Sequence, residues 1–135
     1  MKSDKEIVET FSVTLAGDVI TFALNDEQSD SDDITRQAQL AKVAIMKYYD
    51  ANPDLDYKGL INLMPLGVSA RFLTPEAKQI YVDLVSLERM VKMAFVVPSK
   101  FARMLTGFFA QMSHKWGKTK WFTDEEEAQK WLDEY

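Results

Sequence analysis

Val91–Tyr135 reads VKMAFVVPSKFARMLTGFFAQMSHKWGKTKWFTDEEEAQKWLDEY, and the fold turns on how that stretch divides. Met93–Val97 is a continuous apolar run, the pattern of a strand covered on both faces in a parallel sheet. Pro98 ends it, because proline has no N–H for a ladder. Ser99 then offers an N-cap. Phe101, Met104, Leu105, Phe108 and Met112 recur at helical spacing and form one apolar face. Lys115–Lys118 breaks that helix, and Thr119–Phe122 forms the next strand. Thr123 starts a last helix, with Glu126 three residues on completing a capping-box pattern. Asp124, Glu125 and Glu126 in its first turn suit the helix dipole. Ala128, Trp131, Leu132 and Tyr135 form its inward stripe.

Upstream, the same reasoning extends to the N-terminus. Residues 1–5 read as a loose end. Ile7–Leu15 alternates, with Ile7, Phe11, Val13 and Leu15 on one side, which predicts a half-buried strand. Ala16-Gly17-Asp18 is a tight turn, and Val19–Leu24 pairs back with Ile20, Phe22 and Leu24 inward. Asn25–Asp33 is an acidic, serine-containing loop that lacks the D-x-D-x-D-G spacing of a cation site. It supplies N-cap candidates for a helix whose stripe is Ile34, Ala38, Ala41, Ile45 and Tyr48. Asn52 and Pro53 close that helix. LINLM within Tyr57–Met64 is a buried strand that Pro65 ends. Thr74-Pro75-Glu76 is a helix start, and Ala77, Ile80, Tyr81, Leu84 and Leu87 form the inner face. Arg89 is placed near that helix's C-terminus, where a cation is favoured. The sum is an α/β fold: a mixed, mostly parallel sheet of about five strands, an N-terminal β-hairpin and about four helices.

A chain of 135 residues predicts a single domain over 1–135. The net charge of −5 and pI near 4.9 argue against nucleic acid or an anionic membrane surface as partner, since both require a basic footprint. With no cysteine, disulfides, thiolate catalysis and Cys-based metal sites are excluded. No apolar run reaches the ~18 residues of a membrane span, and MKSDKEIVE has no apolar core for a leader. The expected compartment is the cytoplasm.

Catalytic signatures are sparse. His114 is the sole histidine and has no carboxylate at helical spacing, so it reads as a helix-end residue rather than a metal ligand. No GxSxG elbow, Walker loop or GxGxxG fingerprint occurs. Neither a metal nor a cofactor is expected. The best-placed stretch is the loop Pro65–Thr74, after a central parallel strand and before a helix N-terminus. Its candidates for binding a ligand or partner are Leu66, Ser69, Arg71, Phe72 and Thr74. A phosphate on Ser69 or Thr74 would meet Arg71 and the helix start, whereas the plainer role of Thr74 is a cap. Phe101, Phe108 and Phe109 offer an apolar wall, because adjacent Phe108 and Phe109 cannot both face the core. Lys118 and Lys120 alternate with Thr119 and Trp121, the mark of a lysine-guarded edge strand.

The phrases AFVVPS, FARMLTGFF and WFTDEEEAQKWL, in this order of elements, resemble the SpoIIAA-like group of bacterial STAS-type proteins, which are related in fold to CRAL-TRIO lipid-binding domains. The resemblance implies a non-enzymatic regulatory module that binds a protein partner, in some relatives under a phosphorylation switch. The switch serine of that class lies in an Asp-Ser-Ser-Gly turn. Here the equivalent stretch is NLMPLGVSARFL, with Ser69 and Thr74 the approximate substitutes. The CRAL-TRIO side of the resemblance implies the alternative, a small carrier or sensor for an apolar molecule between sheet and helices. Exposed aromatics leave a homodimer open.

Overall fold

The computed structural model describes residues 3–25, 30–64, 74–98 and 119–134. Its elements are α1 (Asp4–Val8), β1 (Phe11–Ala16), β2 (Val19–Leu24), α2 (Ser31–Ala51), β3 (Tyr57–Asn62), α3 (Pro75–Val85), β4 (Met90–Val96), β5 (Thr119–Phe122) and α4 (Glu125–Asp133). The strands form one five-stranded sheet in sequence order. β1 and β2 are antiparallel, and each later neighbour pair is parallel. The expected α/β class, hairpin and mostly parallel sheet are therefore present.

The hairpin closes at Gly17, whose φ of 62° is the left-handed conformation that a two-residue turn requires. Beyond it, alternation sends side chains to two separate cores. Ile20, Phe22, Leu24, Ile61, Met93 and Phe95 meet Ile34, Ala38, Ala41 and Ile45 of α2 and Ala77, Tyr81 and Leu84 of α3. On the opposite face Val19, Leu60, Ala94 and Val96 meet Ala128 and Leu132 of α4. Phe22, Leu60, Ala94, Phe95 and Val96 are all 0% exposed, as the apolar run at 93–97 predicts for a strand covered on both sides. A register shift at Tyr57/Lys58 pairs Tyr57 with Met90 and Lys58 with Lys92, skipping Val91. The bulge turns Met90 into the same core as Met93 and leaves Val91 outside.

Several expectations are corrected. Ile7–Thr10 is no strand: Asp4–Val8 is helical, and Ser3 and Glu6 form a reciprocal capping box that starts it. The alternation pattern would have placed Glu9 inward, which its charge opposes. Tyr49, not Tyr48, completes the buried stripe of α2. Asp124, not Thr123, caps α4, accepting from the Glu126 N–H at 2.9 Å. Arg89 stands beyond α3 and serves another helix: it donates to the carbonyls of Tyr49, Asn52 and Leu55 at 3.0, 2.9 and 2.6 Å. Its guanidinium lies 3.9 Å from the centroid of the Tyr49 ring. The cation thus satisfies the orphan carbonyls at the end of α2. The helix expected over Phe101–Met112, His114 and Tyr135 lie outside the described residues.

Tyr57 is 1% exposed, and its hydroxyl has no hydrogen-bond partner among the described residues. Its ring, 6.0 Å from that of Tyr49, makes the apolar contacts. A buried unsatisfied hydroxyl costs about 1–3 kcal/mol. Tyr57→Phe is therefore expected to raise stability by about 1 kcal/mol, a shift of a few degrees in Tm, read by thermal unfolding.

Candidate functional site

Of the residues singled out from the sequence, Leu66, Ser69, Arg71, Phe72, Phe101, Phe108 and Phe109 lie outside the described residues. Thr74 is described, and its hydroxyl has a structural job. It accepts from the Ala77 N–H at 3.2 Å, capping α3. It also makes a short hydrogen bond with the Thr35 hydroxyl in the first turns of α2. The starts of α2 and α3 are therefore latched together through two hydroxyls. Nearby along the chain, Asn62 at the end of β3 accepts from the Met64 N–H at 3.0 Å, a local turn that stops the strand. The described part of the layer between the sheet and α2 and α3 is filled by Phe22, Ile61, Tyr81 and Phe95.

A surface that the sequence reading did not single out lies at the other margin of the fold. In α2, Leu40, Val43, Ala44 and Lys47 recur at i, i+3, i+4 and i+7, beside the buried stripe. With Val8 of α1 and Phe11 and Val13 of β1 they line a groove of about 360 Å³. Val8 is 47% exposed, Val43 56% and Leu15, at the far end of β1, 37%. A second hollow along the outer face of α2 is lined by Lys42, Val43, Met46, Lys47 and Asp50. Val43 and Lys47 line both, so the patch sets an exposed valine beside a lysine.

β1 itself is an edge strand. The Asn25 N–H donates to the Thr10 carbonyl at 2.7 Å, which fixes the phase of the antiparallel ladder. Ser12, Thr14 and Ala16 turn their backbone groups toward β2, and Phe11, Val13 and Leu15 turn theirs away. The strand FSVTLA carries no charge and no proline, the usual guards of an edge. The signals were legible: an uncharged β1 and a second apolar stripe on α2.

The floor of the groove is held in two ways. The buried Gln37 amide donates to the Thr10 hydroxyl at 2.7 Å, which donates in turn to the Ile7 carbonyl at 2.6 Å. Outside, Arg36 donates to both carboxylate oxygens of Asp4, at 2.9 and 2.8 Å. That hydrogen bonding, with the charge of the guanidinium, holds the Asp4 carboxyl below its ordinary 3.8. α1, which carries Val8, is pinned to α2 by both.

Among the described residues no three His, Cys, Asp or Glu side chains gather as a metal site, and no helix is long and apolar enough to cross a membrane. A family model described as a domain of unknown function (DUF7793) matches residues 70–135, just under half of the chain. No curated protein and no solved structure matches the chain.

Removing the Thr74 cap should cost about 1 kcal/mol: Thr74→Ala lowers the urea midpoint, and Thr74→Ser, which keeps the oxygen, restores most of it. The Asp4 contact has a defined pH sign. A carboxyl depressed in the folded state stabilises above its unfolded value, and the gain is lost as pH falls through the lower, folded value. NMR signals of Lys5–Val8 are thus expected to shift below pH 3.8, and to lose that step in Asp4→Asn.

Proposed function

We propose that this chain is a non-enzymatic regulatory module of STAS-like kind, working in the cytoplasm through contact with a protein partner. The observation that carries the reading is the patch at the β1 margin. Val8, Leu15 and Val43 are exposed there at 47%, 37% and 56%, beside outward-turned backbone groups. An apolar patch bordered by an unguarded edge is more stable covered than wet. Support also comes from how polar side chains are used elsewhere. Thr74, Asp124, Asp30 and Ser3 cap helix starts, and Arg89 and Lys92 close helix ends. The resemblance of 91–132 to STAS-type proteins points the same way.

A photo-crosslinking residue at position 43, in the full chain expressed in its own cell type, tests this. Adducts are expected there and not at Glu127, an exposed position on α4. Position 43 giving no more adduct than position 127 would overturn the reading.

A further inference from the structure

We propose that the occupant of the β1 edge is a second copy of this chain, joined by antiparallel β1–β1 pairing into one continuous sheet. The inference rests on reading the patch as an interaction surface, and adds its partner and its register.

The register follows from the strand. Directly opposed residues on antiparallel strands share a face, so a two-fold axis must pass through a residue, not between two. Only with Val13 opposite the partner's Val13 do the outward N–H and C=O groups of Phe11, Val13 and Leu15 all meet one another. Centring on Thr14 would set Phe11 against Gly17, in the turn. With Val13 central, Phe11 faces Leu15, and Ser12 faces Thr14. Apolar meets apolar, hydroxyl meets hydroxyl, and no charge meets like charge within FSVTLA. That matters for a chain of net charge −5, in which self-repulsion is the main obstacle to pairing.

The groove selects a second copy over a lone extended peptide. Phe11 and Val13 share the α2 face of the sheet, and the axis of such a pair is perpendicular to the sheet. Both copies of α2 then lie on the same side of the junction. The two grooves lined by Val8, Leu40 and Val43 adjoin across it, so each α2 covers the other's apolar stripe. A bare peptide strand would satisfy the edge but leave Val43 in water. A standard interface takes about a tenth of a small protein's surface from each partner, roughly 700 Å² of the 7281 Å² here. A strand of six residues and one groove make a small patch by that standard, so weak pairing, with a Kd on the order of micromolar, is expected.

The test uses the full chain and sedimentation velocity from low to high micromolar concentration. The mass is expected to rise from 15.5 kDa toward twice that. Leu15→Lys with Val43→Glu, both at exposed positions, is expected to stay monomeric with its thermal unfolding unchanged. Because the chain contains no cysteine, Val13→Cys provides a single probe. Opposed Cα atoms in such a pair are about 5.5 Å apart, within disulfide reach, so mild oxidation should give a covalent dimer, and Glu127→Cys should not. A monomer at every concentration overturns the proposal. So does a dimer that survives the double substitution, which would place the interface elsewhere. Position-43 adducts to a different protein, with a monomeric mass, would remove the self-pairing and leave the interaction reading standing.

Discussion

Strands β2 to β4 have a hydrogen-bonded neighbour on each side and apolar side chains on both faces, and the rest of the molecule answers to that double burial. A parallel sheet cannot leave a face wet when both sides of its strands are apolar. α2 and α3 cover one face and α4 the other. α4 has nine residues, too few to hold a helix in water alone. It persists because Ala128 and Leu132 are buried on Leu60, Ala94 and Val96. Alanines on both sides of that contact let the helix axis approach the sheet closely.

Ending helices beside a sheet creates a second demand, that of the orphan carbonyls. Two cations three residues apart in sequence meet it on opposite faces. Arg89, just before β4, satisfies the end of α2. Lys92, within β4, donates to the Trp131 and Glu134 carbonyls at 2.8 and 2.7 Å, with its ammonium 4.7 Å from the Trp131 ring centroid. The entry to β4 therefore locks both helical layers. Replacing either with a neutral side chain would leave those carbonyls to water and to the backbone N–H groups of Leu55 and Glu134, which already reach Asn52 and Trp131.

Segments governed by a single physical rule were legible in the sequence. α2, the Thr74-Pro75 start, the buried run at 93–97 and Thr119–Phe122 were read with bounds that the structure keeps to within a few residues. Short segments failed where two rules competed. At Ile7 a strand alternation and the Ser3–Glu6 capping box overlapped, and the box won because it satisfies backbone donors that the strand reading left unaddressed. Arg89 was assigned by sequence distance, whereas its guanidinium works across 37 residues, on the Asn52 carbonyl. No local pattern encodes that. Of the site candidates named from the sequence, Thr74 is the one among the described residues, and it acts as a cap. The β1 patch was not singled out because the alternation rule put Val8 on the outward side of a strand, and the helical stripe of α2 left Leu40, Val43 and Ala44 unassigned.

The two halves of the chain carry different properties. The family match over 70–135 takes in α3, β4, β5 and α4 and stops short of β3. Yet β4 is paired along its length with β3, and Leu60 of β3 lies in the same core as Leu132. The matched half therefore completes its sheet only with strands from the unmatched half. Every residue of the β1 patch, from Val8 to Lys47, belongs to that unmatched half. The matched half contributes β4 and α4 to the core that Leu60 shares with Leu132. Val8, Leu15 and Val43 are exposed in the unmatched half, so a single charged substitution at any of them changes the surface and leaves the core between sheet and helices untouched.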